Sequence, residues 1–171
     1  MTARIPIRDR SGAVIAEAII DADMERFLSV WSWRLTSNGY VVRHVSRSGG
    51  SGRTVSMARI VAGLMEGDMI SGDEITVDHI NRNRLDNRRD NLRFALRWQN
   101  NQNTSPRTTY RGKPRTGYRG VHQLPSGRWH ARACVRGVDH NLGTYDTELE
   151  AAEVAARFRA EHMPFSVELL P

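Results

Sequence analysis

The sharpest alternation in the chain lies at residues 128–135, where Trp129, Ala131, Ala133 and Val135 interleave with Arg128, His130, Arg132 and Cys134. A two-residue period predicts a half-buried strand, here with a basic outer face. Residues 117–121 open this region and residues 142–145 add a further short strand, with Pro125-Ser126-Gly127 and Arg136-Gly137 as hairpin turns. Thr147 and Glu150 then form a capping-box pattern ahead of an alanine-rich helix ending near His162. Ala151, Ala152, Ala155 and Ala156 let that helix approach the sheet closely, and Leu149 and Phe158 are expected to fill its ends. The pattern predicts a three-stranded antiparallel sheet packed on one helix, with the other sheet face left open.

Upstream, the apolar runs are shorter. Residues 5–8 and 14–20 flank the turn chemistry Asp9-Arg10-Ser11-Gly12, residues 23–30 read as a short helix, and residues 33–35 and 40–45 flank Ser37-Asn38-Gly39. Trp31, Trp33 and Tyr40 are read as core, because a small β-rich module needs large side chains to bury enough area. Residues 57–64 read as another short helix. A β-rich run at 75–80, polar turn chemistry at 81–90, a second apolar run at 92–95 and a short helix at 97–103 follow.

Charge changes the picture more than composition does. The 171 residues carry a net charge of +6, but residues 1–75 hold 9 basic and 9 acidic groups, residues 76–137 hold 14 and 3, and residues 138–171 hold 2 and 7. A basic block of this density implies a nucleic-acid partner. Only Lys113 among the 25 basic residues is a lysine, and the planar arginine fork suits bidentate contact with phosphate and guanine. A single cysteine, Cys134, excludes an internal disulfide framework and paired Cys-x-x-Cys zinc knuckles. With no apolar leader and no bilayer-length apolar run, a soluble cytoplasmic protein is expected, monomeric with a dimer as the alternative.

The basic block also holds the chain's chemistry. Asp78-His79, Asp86-Asn87, Asn91-Leu92-Arg93 and Asn100-Asn101 fall within one short segment. A histidine can deprotonate water near neutral pH, and carboxylate and amide oxygens suit a hard divalent cation, which are the two needs of phosphodiester hydrolysis. These residues, with Val77, Ile80, Asn81, Leu85, Arg88 and Arg89 between them, resemble the HNH endonucleases of phages and mobile introns. The resemblance implies a ββα-metal core with His79 as general base and Asp78 as a metal ligand. It gives Asn91 the middle position, tying the loop to the strand that bears the histidine, and makes Asn100 the second metal ligand, brought to Asp78 across a hairpin. Magnesium or manganese is the implied cofactor, double-stranded DNA the substrate, and Arg82, Arg84, Arg88, Arg89 and Arg93 are phosphate-clamp candidates.

A second resemblance covers the C-terminal third. Tyr118-Arg119-Gly120-Val121, Gly127-Arg128-Trp129 and Leu142-Gly143-Thr144-Tyr145-Asp146-Thr147, followed by Glu150-Ala151-Ala152, resemble the plant ethylene-responsive-factor DNA-binding domain. The likeness implies that the sheet reads DNA, with Arg119, Arg128 and Arg132 as outward-facing contacts. His122, Ser126 and Asn141 depart from the plant pattern, so the fold carries over and the plant recognition sequence does not. The expected organisation is α+β: a β-rich accessory region (1–74), the ββα-metal core (75–103), a mobile basic linker (104–116), the sheet-and-helix domain (117–163) and a tail (164–171). The expected function is a phage or homing-type DNA endonuclease, located in the bacterial host cell if phage-encoded. A DNA-binding regulator with a non-cleaving HNH fold is the alternative.

Overall fold

The computed structural model describes residues 1–47, 50–63, 75–105, 109–110, 113–114 and 117–167. It is a mixed α/β chain of several small antiparallel sheets and few helices, divided into two compact units, Met1–Arg97 and Trp98–Pro171.

The first unit opens with a hairpin of β1 (Thr2–Arg8) and β2 (Val14–Asp21), paired from Thr2↔Asp21 to Arg8↔Val14. Its turn forms because Asp9 Oδ1 accepts the Ser11 and Ala13 backbone N–H groups and the Ser11 hydroxyl, and Gly12 supplies a φ of 88°. Alternation turns Ile5, Ile7, Ala18 and Ile20 inward. The helix expected over 23–30 is only a 3-10 turn at Ala22–Met24 followed by α1 (Glu25–Leu28), whose Leu28 is buried. β3 (Arg34–Leu35), β4 (Val41–Arg47) and β5 (Gly50–Ser56) then build a three-stranded sheet. Next comes α2 (Met57–Val61), capped by Ser56 Oγ, which accepts the Arg59 N–H at 3.2 Å. Leu64, the expected end of that helix, lies outside the described residues.

These elements share one core of Ile5, Ile7, Ile20, Leu28, Trp33, Val41, Met57 and Val61. Trp33 is buried and donates its indole N–H to the Leu28 carbonyl at 2.8 Å, whereas Trp31 and Tyr40 are half-buried. Full burial of each large aliphatic side chain stabilises the unit by roughly 1.5–3 kcal/mol. Leu85 and Leu92 pack against the same core, so the segment that carries the candidate chemistry is built onto it. That segment holds β6 (Ile75–His79) and β7 (Leu92–Leu96), antiparallel from Ile75↔Leu96 to His79↔Leu92.

The division between the units falls within α3 (Arg97–Asn100), which is shorter than the helix expected over 97–103. In the second unit, β8 (Thr109–Tyr110) and β9 (Lys113–Pro114) pair as a minimal ribbon inside the expected linker, whose Arg107, Arg111 and Arg115 lie outside the described residues. β10 (Val121–Gln123), β11 (Trp129–Val135) and β12 (Val138–Tyr145) form an antiparallel sheet in sequence order. β12 is twice as long as residues 142–145 alone. Arg136 and Gly137 both take positive φ, 50° and 83°, in a tight turn that lets pairing begin at Val135↔Val138.

α4 (Glu148–His162) begins with the full capping box, Thr147 Oγ1 accepting the Glu150 N–H and Glu150 accepting the Thr147 N–H. Ala151, Ala152 and Ala155 pack on Val121 and Ala131, and their small size sets the close approach. Leu149 does not fill the helix end: it is 49% exposed. At 3.6 residues per turn it falls about 90° from the middle of the alanine stripe. Phe158 instead stacks on His162 and packs at a tilt against His140, at ring separations of 4.1 and 4.9 Å.

Candidate active site

β6 ends in Asp78 and His79, both buried, and the loop that follows buries the polar side chains of Asp86, Asn87 and Asn91. Asn91 closes it. The Asn91 carbonyl accepts the Ile80 N–H at 2.8 Å, its Oδ1 accepts the Asn81 N–H at 2.9 Å, and its Nδ2 donates to the Asp86 carbonyl at 2.7 Å. Arg82 adopts a φ of 64° with its N–H on the His79 carbonyl, so the chain turns sharply just after the histidine.

Asp86 is the second organiser. Its carboxylate accepts Arg88 Nε at 2.7 Å and Nη2 at 2.6 Å, together with Asn81 Nδ2 at 2.9 Å. The Arg88 hydrogen bonds hold the Asp86 carboxyl below its ordinary pKa, against the opposing effect of burial. The loop is also fastened to β2: the Ile19 N–H donates to the Leu85 carbonyl and the Asn87 N–H to the Ile19 carbonyl, at 2.7 and 2.8 Å. Arg89 adds an ion pair with Asp23 at 2.9 Å and donates its backbone N–H to Asp21.

His79 Nε2 lies 3.2 Å from Asn87 Oδ1. Asn87 Nδ2 donates to the Arg84 and Leu85 carbonyls at 3.3 and 3.2 Å, so its oxygen must face the imidazole. A neutral His79 therefore carries its proton on Nε2 and its lone pair on Nδ1. Burial, the largest influence, pushes the His79 pKa below 6.5 against the opposing pull of Asn87 and Asp78. The ring is thus neutral at physiological pH, the state a general base needs. Tyr40 sits 6.2 Å away between ring centroids, with the Arg84 guanidinium 4.4 Å over its face.

The clamp candidates are not equivalent. Arg88 is engaged by Asp86, Arg89 by Asp23, and Arg93 by Asp78, with Arg93 Nη2 at 2.8 Å from Oδ2. Arg84 stacks on Tyr40 and donates to the Asn38 carbonyl. Asn100 is the last residue of α3 and belongs to the second unit. Among the described residues no group of three or more His, Cys, Asp or Glu side chains could hold a metal ion. The expected ligand pair, one carboxylate and one amide, does not depend on such a group. No helix among the described residues is long and apolar enough to cross a membrane.

In the second unit, Arg119 precedes β10 and is half-buried rather than outward on the sheet. It donates to the Gln102 carbonyl and to Ser166 Oγ, and its own carbonyl accepts Arg159 Nη1 at 2.7 Å. Arg128 pairs with Asp146 at 2.8 Å, and Arg132 is exposed on β11. The open face also presents His130, whose Nε2 meets Asn141 Oδ1 at 3.0 Å and whose ring lies 4.8 Å from that of His122.

The sequence pattern missed the separate roles of Asn81, Asp86 and Asn87. A turn-forming Asp-Asn pair is the only local signal, and it does not say which side chain will meet the histidine.

Residues 57–102 match a family model described as HNH endonuclease, a span that begins at α2 and takes in both β6 and β7. Over 137 residues the chain is 28% identical to an uncharacterized HNH endonuclease of Acanthamoeba polyphaga mimivirus, an alignment covering 80% of this chain and 65% of that protein. The chain thus spans less than two thirds of the length of that curated relative. No solved structure matches.

Proposed function

We propose that this protein is a divalent-metal-dependent DNA endonuclease of the HNH type, with a ββα-metal core around β6 and β7 and His79 as its general base. The observation that carries the reading is the buried His79, its Nε2 held 3.2 Å from Asn87 Oδ1, beside the buried Asp78. Similarity to HNH endonucleases over residues 57–102 supports it independently.

In this reading His79 Nδ1 accepts a proton from water as the water oxygen bonds to phosphorus. The P–O3′ bond breaks, and the departing 3′-oxygen takes a proton from solvent. Asp78 and Asn100 are hard oxygen donors, the ligand chemistry a small divalent cation takes, and a cation on Asp78 would compete with the Arg93 guanidinium for the carboxylate. Magnesium or manganese held there would neutralise charge on the phosphate and on the leaving oxygen. The role of Asn100 rests on its place in the motif order.

The arginines of the basic block hold the DNA backbone. Arg82, Arg84, Arg88, Arg89 and Arg93 are the candidates, and Arg88, Arg89 and Arg93 would have to exchange an acidic partner for phosphate. The second unit, similar in sequence to the ethylene-responsive-factor domain and built as a sheet on one helix, targets the enzyme. Arg132 is exposed on the open face, and Arg128, also exposed, pairs with Asp146. A phage or mobile-element setting is part of the same proposal; the relative itself is from a mimivirus.

Incubation of the protein with supercoiled plasmid and magnesium tests the reading. Nicked or linear product that disappears with EDTA is expected, and intact plasmid with preserved gel-shift binding would instead favour a non-cleaving DNA-binding regulator.

A further inference from the structure

We propose that Asn87 is the positioning residue for His79, fixing its tautomer and aim, and that it is held in register for this by the N-terminal hairpin. The inference rests on the nuclease reading and adds a role to it for Asn87 and for β2.

Asn87 is 1% exposed, and each of its polar side-chain atoms has an assigned direction. Two carbonyls of its own loop, Arg84 and Leu85, take the amide N–H groups and so turn Oδ1 toward His79 Nε2. A flipped amide would set Oδ1 against two carbonyl oxygens, losing both of the loop hydrogen bonds in a buried place. The orientation is therefore locked, and with it the position of the imidazole proton.

The loop is in turn anchored from outside. Ile19 brackets Asp86 in a parallel bridge, donating to Leu85 and accepting from Asn87, while Leu85 packs on the core shared with β1 and β2. Ile19 is also an internal residue of β2, paired with Arg4. The hairpin thus supports the histidine through backbone bonds that no local feature of the motif provides.

Two substitutions separate positioning from bracing. Asn87→Leu removes the acceptor and both donors, whereas Asn87→Asp keeps an acceptor oxygen and loses the same donors. Nicking rate, KM and gel-shift affinity are measured for both in the full chain, and the His79 ring nitrogens are followed by 15N NMR. Wild type should show His79 as the Nε2–H tautomer. Asn87→Leu should show mixed tautomers and lose about tenfold or more in kcat with KM and affinity unchanged, within the roughly 10⁴-fold that a general base contributes at most. Asn87→Asp should retain most of the rate.

Wild-type kcat in Asn87→Leu, or equal losses in both variants with an unaltered His79 tautomer, would overturn the proposal. If Asn87→Leu fails to fold, an Nδ1–H tautomer in wild type, or a rate in Asn87→Asp as low as background, overturns it equally. Absence of nicking by wild type would instead remove the nuclease reading, and the NMR result would still decide whether Asn87 sets the tautomer.

Discussion

Arg93 Nε and Nη2 lie 2.9 and 2.8 Å from Asp78 Oδ2, on directly paired positions of β7 and β6. The Asp78 side chain is 6% exposed, so the guanidinium balances a carboxylate with little water around it. Removing the guanidinium with Arg93→Met should destabilise the first unit by roughly 3 kcal/mol, the cost of breaking a buried pair from one side. If Asp78 is a metal ligand, magnesium should recover part of that loss. Thermal unfolding with and without magnesium checks this: the midpoint of Arg93→Met should rise more than that of wild type, and Asp78→Asn should abolish the rise. Equal magnesium effects in wild type and Arg93→Met would take Asp78 out of the metal site.

His79→Ala should lower plasmid cleavage by about a hundred- to ten-thousand-fold, the contribution of a positioned general base. The imidazole is assigned to proton transfer and not to holding DNA, so affinity should stay within a few-fold of wild type. Nicking and gel-shift assays run side by side decide it. Persistent cleavage near the wild-type rate would leave the base unidentified.

What the sequence disclosed, and what it did not, follows from the range of the forces involved. α4 was legible because its capping box and alanine stripe are local, set by residues three or four apart. β11 was legible from its two-residue period. β5 was not. Gly50, Ser51 and Gly52 carry no alternation, yet Val45↔Arg53 and His44↔Thr54 pair, and a side chain at position 52 would collide with the His44 ring. At the candidate site, Asp78, His79 and Asn91 stood out as a spaced motif. The Asn87–His79 contact did not, because Asn87 is oriented by two loop carbonyls and by Ile19, 68 residues away in sequence. The placement of Arg119 was equally hidden, since its partners Gln102 and Ser166 flank the second unit from opposite sides in sequence.

Asp86 gives the fold an acid limb. Its carboxyl is held below the ordinary 3.8 chiefly by the Arg88 hydrogen bonds, so the unfolded chain binds this proton more readily than the folded one. The resulting stability is fully present above that value and is lost as pH falls through the lower folded-state pKa. Urea titrations of wild type and Asp86→Asn should therefore show a constant gap at neutral and mildly acidic pH, narrowing below about pH 4. A gap that stays constant into strong acid would show that Asp86 contributes through shape and not through charge.

Arg132 and Arg119 should separate DNA contact from internal support within the second unit. Arg132 is exposed on the open face of β11, whereas Arg119 is bound to Gln102, Ser166 and, through its carbonyl, Arg159. If Arg132 neutralises a phosphate, Arg132→Ala should weaken DNA binding and make the slope of log K against log salt shallower by about 0.9. If it reads a base edge instead, the loss should fall on the preferred site, by about 1–3 kcal/mol, with less effect on unrelated DNA. Arg119→Ala should do neither directly: it leaves buried acceptors unpaired and should lower the unfolding midpoint while the salt slope of the folded fraction stays at the wild-type value. Salt titrations on a mapped site and on random DNA, together with thermal unfolding of both variants, distinguish these outcomes. Wild-type binding by Arg132→Ala on both DNAs would remove the open face at this position from the DNA contact.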